Sequence, residues 1–381
     1  MKILIIRNFP SYMSVKKNTY NIQEVGLAKA LVKKGHICDV LFWTDKEEEC
    51  VEIPVEETEK SIRIFYKRGK TFLKNTVYTG CESLFKQYDI LQPCEYNQIQ
   101  SWLLAKQYPE KTIIFHGPYY SPFNKRYNLM CKVFDMLFLH RYLKLETRFL
   151  AKSVMAKDFL FSKGIKEKDI TVCGVGIDTQ VLSNHERASE QEIYQDMKAH
   201  ENILKLLYIG RLEERRNIPF IMEVLKKLKE KIDVRLYMIG TGDKEYMDRI
   251  WNLVDRYNLK DSIVWQERME QKYLSDIYKE ADIFLLPTSY EIFGMVLLEA
   301  MYYRTVTITT YNGGSSTLIQ NEANGIIINE LDADKWVETI CQISKDKETL
   351  ENIQNNAHEK IEREFLWDRL IPNFENAYFR K

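Results

Sequence analysis

The chain has 381 residues, of which 45% are hydrophobic and 12% aromatic. That is long enough for two domains with separate cores, and too apolar for a disordered chain. Lysine plus arginine and aspartate plus glutamate both number 55, and this zero net charge argues against non-specific nucleic-acid binding.

The opening Met-Lys-Ile-Leu-Ile-Ile-Arg-Asn has too short an apolar core for a secretion signal and reads as a strand over 2–6. Ile22, Val25, Ala28, Leu31 and Val32 then recur at helical spacing, with Lys33 and Lys34 in the last turn and Gly35 ending it. A strand over 38–43 completes a strand–helix–strand unit. Further apolar runs at 62–66, 88–91, 112–115, 153–155 and 170–173 alternate with helical stretches, which predicts an open parallel sheet covered on both faces. Residues 125–150 mix basic and aromatic side chains on a predicted helix. Two readings stand for it: a surface for an anionic membrane, or a packed helix with solvated lysines and arginines. The seven cysteines are scattered and never spaced as Cys-x-x-Cys, which suits reduced thiols in a cytoplasmic protein. No window of eighteen apolar residues is present to span a membrane.

Composition turns polar over 179–201, the expected linker, and the alternation then restarts. Runs at 203–209, 234–239, 263–265, 283–286, 305–309 and 325–328 predict six strands of a second doubly wound domain. The domains are expected over 1–180 and 200–360. Ligands of such sheets bind beyond the carboxyl ends of the strands. There the chain places Gly210-Arg211 with Arg216, then Gly240-Thr241-Gly242, Gln266-Glu267-Arg268, Glu291 and Asn312-Gly313-Gly314. The planar fork of arginine suits phosphate oxygens, so Arg211 and Arg216 are candidate diphosphate ligands.

Residues 282–300 are the most informative stretch. Ile283–Leu286 reads as a buried strand, Pro287–Ser289 ends it, and Gly294 opens a run of helix formers. Unsatisfied amides after Phe293 and Gly294 would meet a phosphate at the helix N-terminus. Glu299, one turn in, could take ribose hydroxyls, and Glu291 in the preceding turn could hold a sugar. The pattern is that of a nucleotide-sugar pocket.

These motifs resemble the retaining nucleotide-sugar glycosyltransferases of the GT-B fold, in the family 4 group of bacterial polysaccharide and glycolipid enzymes. The resemblance rests on Gly210-Arg211-Leu212 with Arg216, on Gly240-Thr-Gly242, on Glu291-Ile-Phe293-Gly294 with Glu299-Ala300-Met301, and on Gly313-Gly314 before Gly325. The first half matches more loosely, through Gly26 to His36, Phe115-His116-Gly117 and Gly174 to Asp178. The resemblance implies two Rossmann-like domains facing across a cleft, with the tail, about 361–381, returning to the first domain. By the same resemblance, Arg211 and Arg216 would hold the diphosphate and Glu291 would face the donor sugar. Phe293, Gly294 and Met295 would offer amides, Glu299 would bind ribose, and Arg268 and Met269 would frame the base. His116 would stand beside the reacting carbon.

Implied partners are a UDP- or GDP-sugar donor, a saccharide or lipid-linked acceptor, and a peripheral contact with the inner membrane surface. No cofactor and no metal are expected, the chain being read as free of the Asp-x-Asp pair that binds metal in the other large transferase fold. The family pattern is departed from at Arg216, where lysine is usual, at Arg304 and Val306, at Thr317, and in the first loop, 8–21, which lacks a glycine pair. Rival readings are a nucleotide-sugar epimerase or sugar phosphorylase on the same fold, a dehydrogenase, and a non-catalytic binding module. Against the dehydrogenase, Gly240-x-Gly242 is followed by Glu245 where a third glycine is needed.

Overall fold

The computed structural model describes residues 1–15, 22–178 and 188–379. The chain divides into two compact units, 1–178 with 365–381, and 179–364.

The first unit is built on strands β1 (Lys2–Ile6), β2 (Ile37–Trp43), β3 (Glu49–Pro54), β4 (Ser61–Lys67), β5 (Gly69–Phe72), β6 (Asn75–Tyr78), β7 (Ile90–Pro93), β8 (Ile113–His116), β9 (Arg148–Ala151) and β10 (Ile170–Val172). They pair in the orders β3-β4-β2-β1-β7 and β10-β9-β8, and single bridges Leu91–Thr112 and Cys94–Phe115 join β7 to β8. Ile3 to Ile6 are buried on both faces of β1, as a central parallel strand requires. Helix Gln23–Lys33 ends in a Schellman turn: Gly35, at φ 94°, donates to Val32, and His36 donates to the Leu31 carbonyl.

Helix Trp367–Phe379 packs on this same unit. Gly26 admits the Trp367 indole so closely that a Cβ there would lie 2.3 Å from its nitrogen. The His36 ring meets Glu375 at 2.8 Å.

Several expectations for this half are corrected. Residues 153–155 are not a strand. The strand is β9, and Ser153 instead caps helix Val154–Ser162, its hydroxyl accepting from the Ala156 amide at 3.1 Å. Consequently 125–150 is not one helix. It runs as Lys125–Phe134, a π-helical turn at Asp135–Leu139 and His140–Leu145, stops at Glu146 in a left-handed conformation, and enters β9. The sheet is not wholly parallel, because β3 runs antiparallel to β4. β3 and β5 are largely exposed and β6, though buried, is half polar, so none has a continuous apolar run to announce it. Of the first loop, 16–21 lie outside the described residues.

The second unit holds β11 (Leu204–Ile209), β12 (Val234–Ile239), β13 (Ile263–Gln266), β14 (Ile283–Leu286), β15 (Val306–Thr309) and β16 (Ile326–Ile327). All are parallel, in the order β13-β12-β11-β14-β15-β16. The first strand therefore lies inside the sheet, and the winding reverses between β11 and β14. Such a switch point opens a crevice at the carboxyl ends of those two strands. Of the expected linker, 179–187 lie outside the described residues, and the rest is not a linker. Ala188–Glu190 is a 3-10 turn, and helix Glu192–Ala199 buries Ile193 and Met197 while Asp196 takes Arg235 at 2.7 Å and the Tyr237 hydroxyl at 2.9 Å. The polar residues of this helix form its solvent face. No helix among the described residues is long and apolar enough to cross a membrane.

Ser153→Ala removes the cap that separates β9 from its helix. It is expected to cost about 1 kcal/mol of unfolding free energy in urea melts, with the far-ultraviolet dichroism unchanged.

Candidate functional site

The crevice between β11 and β14 is built by two strand-end loops laced to each other. After β11 the chain turns at Glu214–Arg216, a 3-10 turn closed by Asn217 in the left-handed region. The Asn217 amide donates to the Pro287 carbonyl at 2.7 Å and to Ser289 Oγ at 2.9 Å. Ser289 N donates back to the Arg215 carbonyl at 2.7 Å. Two loops far apart in sequence thus hold one shape.

At their junction sits an ion cluster. Arg216 Nη2 lies 2.6 Å from Glu291 Oε2, and Arg215 Nη1 lies 3.2 Å from the same oxygen. Glu291 Oε1 accepts from the Ile292 amide at 3.1 Å, and Arg215 also reaches Glu213 at 2.7 Å and the Tyr290 carbonyl at 2.8 Å. Burial pulls the Arg215 pKa down, but Glu291 and Glu213 outweigh it, and the guanidinium stays above its ordinary value. Arg216 is only 8% exposed, and its Nε and Nη1 have no hydrogen-bond partner. Buried N–H groups of a cation without an acceptor are costly, and an anion placed there would satisfy them.

Gly294, at φ 81°, opens helix Met295–Tyr302, whose first amides have no intrahelical acceptor. Glu299 on this helix is 3% exposed; Tyr278 donates to its Oε2 at 2.8 Å, and Gln271 Nε2 stands 3.4 Å from Oε1. Gln271 begins helix Gln271–Glu280 just after Arg268 and Met269, so the residues proposed to frame a base lead directly to the buried carboxylate. Arg268 is exposed, and its carbonyl accepts from Gln266 at 3.0 Å. Arg211 is likewise exposed, its carbonyl held by the Tyr208 hydroxyl at 2.8 Å.

Glycines let the neighbouring loops close over this frame. Gly240, at φ 152°, lies so near Gly210 that a Cβ would sit 1.9 Å from the Gly210 carbonyl oxygen. A Cβ on Gly314 would sit 1.8 Å from the Phe293 oxygen, and Gly313 N donates to the Glu291 carbonyl at 3.0 Å. Asn312 Oδ1 accepts from the Gly314 and Ser315 amides at 3.0 and 3.1 Å, so this second turn is satisfied internally.

The chain does hold one Asp-x-Asp, Asp332-Ala333-Asp334, contrary to a reading of the sequence as free of it. It is a helix cap: Asp332 accepts from the Asp334 amide at 2.9 Å, and Asp334 pairs with Lys227 at 2.7 Å.

His116 belongs to the first unit, at the end of β8. Its ring has no exposed surface and lies against Tyr96 and Phe159, with centroids 5.2 Å away in both cases. Nδ1 stands 2.7 Å from Glu95 Oε2, close but off the line of a hydrogen bond. Glu95 is buried, sits at φ 62°, accepts from the Gly117 amide at 3.1 Å and lies 3.9 Å from Lys152 Nζ. Burial raises its pKa, but His116, Lys152 and that amide together hold it below the usual carboxylate value. Glu95, Lys152, Arg215, Tyr278 and Gln271 were not singled out from sequence. Arg215 alone had a signal, its place beside Arg216; the others are brought in by tertiary packing.

Residues 189–360 match the family model described as glycosyl transferases group 1. An uncharacterized glycosyltransferase of Methanocaldococcus jannaschii is 28% identical over 174 residues, 45% of this chain and 44% of the relative. A glycogen synthase of Desulfitobacterium hafniense is 28% identical over 191 residues, 47% of this chain and 39% of that protein. The matched stretch therefore spans less than half the length of these curated relatives. An Anabaena protein crystallised with UDP superposes with a TM-score of 0.74 at 14% identity, covering 99% of both chains. That likeness concerns the fold, which is GT-B.

A carboxyl whose folded pKa is depressed contributes stability that is fully present above its unfolded pKa, about 4.3 for Glu, and lost as pH falls through the folded value. Glu95→Gln is therefore expected to destabilise by roughly 1–3 kcal/mol at neutral pH. The gap from wild type in urea melts should close as the pH falls below the unfolded value.

Proposed function

We propose that this chain, whose residues 189–360 match the glycosyl transferases group 1 model, is a glycosyltransferase that moves a hexose-type sugar from a nucleoside-diphosphate sugar to a saccharide or lipid-linked acceptor. The observation that carries this reading is the buried Arg216 guanidinium at the switch point, bound to Glu291 on one side and presenting two N–H groups without an acceptor. A diphosphate supplies the oxygens those groups lack.

Departure of the diphosphate builds negative charge on its oxygens. Fixed cations and amides in a crevice with little water stabilise that charge more than they stabilise the ground state. Arg216 and Arg211 take this role, assisted by the amides of Phe293, Gly294 and Met295 at the helix start. Neither step calls for a metal. Glu291, held by Arg215 and Arg216, is assigned to the donor sugar's hydroxyls, a positioning role. Glu299, aimed by Tyr278, takes the ribose, and Arg268 with Met269 frames the base. A role for His116 at the reacting carbon rests on the family resemblance alone; within the first unit its ring is buried against Tyr96, Phe159 and Glu95. Retention of configuration is proposed from the family resemblance, as is a place in cell-surface polysaccharide or glycolipid synthesis. The Anabaena complex makes a uridine nucleotide the first donor to try, with GDP-sugars second. The seven free thiols support a reducing, cytoplasmic setting.

Thermal shift with UDP, GDP, ADP and NAD tests this on wild type and on Glu299→Ala, each measured against its own unliganded melt. One nucleoside diphosphate at a hundred times its Kd should stabilise wild type by about 2.7 kcal/mol and the variant far less. Stabilisation by NAD alone would favour the dehydrogenase, and none at all would favour a non-catalytic module. Product analysis with and without acceptor separates transfer from epimerisation or phosphorolysis.

A further inference from the structure

The helical run of residues 125–145 in the first unit has one face packed and one face bare. Cys131, Phe134 and Tyr142 point inward and are buried. Opposite them, Leu129, Val133, Met136 and Leu137 are 64, 48, 78 and 57% exposed. The spacing 129, 133, 136/137 places them along a single ridge of the helix. Within the π-helical turn Asp135–Leu139 both Met136 and Leu137 face solvent, so the ridge is widest there.

Charge frames the ridge. Lys125, Arg126, Lys132, Arg141 and Lys144 are all exposed, whereas the run has one acid, Asp135, which is engaged by Lys163 and by the Tyr96 hydroxyl. Five basic residues against one neutralised acid is a local excess in a chain whose charges balance overall at 55 each.

We propose that this face docks on an anionic lipid bilayer, the apolar ridge entering the acyl boundary and the basic side chains meeting the headgroups. Interfacial helices combine these two features, and neither alone gives firm binding. The charge also selects among occupants. A second copy of the chain, packed through the same patch about a two-fold axis, would set the basic residues against themselves. An anionic surface complements them. The inference goes beyond the transferase reading and does not depend on it, since it concerns where the chain sits and not what it binds at the switch point.

Flotation of the full chain with vesicles of phosphatidylcholine, with and without phosphatidylglycerol, tests the assignment. Binding is expected only to the anionic vesicles. It should weaken when salt rises from about 0.1 to about 1 M, which shortens the screening length from about 10 to about 3 Å. Arg141→Gln with Lys144→Gln should cut binding roughly thirtyfold, about fivefold per charge. The triple variant Leu129→Ser, Met136→Ser, Leu137→Ser should cut it by more than about tenfold. All these positions are exposed, so an unchanged melting temperature serves as the folding control. Absence of wild-type flotation with anionic vesicles would overturn the proposal, as would flotation unaffected by the triple variant. A concentration-dependent dimer in sedimentation, abolished by the same three substitutions, would give the face to a second copy and overturn it too.

Discussion

The contact on which the second unit's site depends is the ion cluster of Glu291 with Arg215 and Arg216, because it joins the loops after β11 and β14 where the sheet reverses. Charges this enclosed are stable only when each is paired and hydrogen-bonded, and removing one partner leaves the others costly. Glu291 meets that demand with both oxygens used. Arg216 does not, since two of its N–H positions face no acceptor. The cluster is therefore complete as a scaffold and incomplete as a set of hydrogen bonds. That combination is the ground for proposing an anion there.

Around this centre the backbone does much of the positioning. Gly240 against Gly210 and Gly314 against Phe293 bring chain segments closer than any side chain would allow. Asn312 and Asn217 satisfy the turns that result, so the loops need no ligand to hold their shape. Helix Met295–Tyr302 then starts beside the cluster, and Tyr278 fixes the carboxylate of Glu299 one turn further along. The site is thus preformed, which lowers the ordering cost of binding.

How much of this is legible in the sequence differs between the halves. Strands β11, β12, β14 and β15 of the second unit are short runs largely buried on both faces, the edge strands β13 and β16 less so, and Glu291, Gly294 and Glu299 stand where the strand–turn–helix reading puts them. The first unit reads less well, for a physical reason in each instance. β3 and β5 are exposed edge or hairpin strands and β6 is a buried one with Asn75 and Thr76 in it, so none carries an apolar run. Ser153 was read as a strand residue because its neighbours Val154 and Met155 are apolar, yet its hydroxyl is worth more as a helix cap. Polar composition over 179–201 predicts a linker, although Ile193 and Met197 carry the spacing of a buried helix face. Partners such as Glu95 and Tyr278 are chosen by tertiary packing alone, and no local pattern points to them.

The most direct test of the central claim is the affinity of Arg216→Gln for the nucleoside diphosphate that stabilises the wild type, measured by titration calorimetry. Loss of charge-assisted hydrogen bonds worth about 1.5–3 kcal/mol corresponds to roughly a ten- to hundredfold weaker Kd, with the unliganded fold retained. An unchanged Kd in a folded variant would mean that the unpaired N–H groups of Arg216 are not a diphosphate site, and the account of the crevice would fall with them.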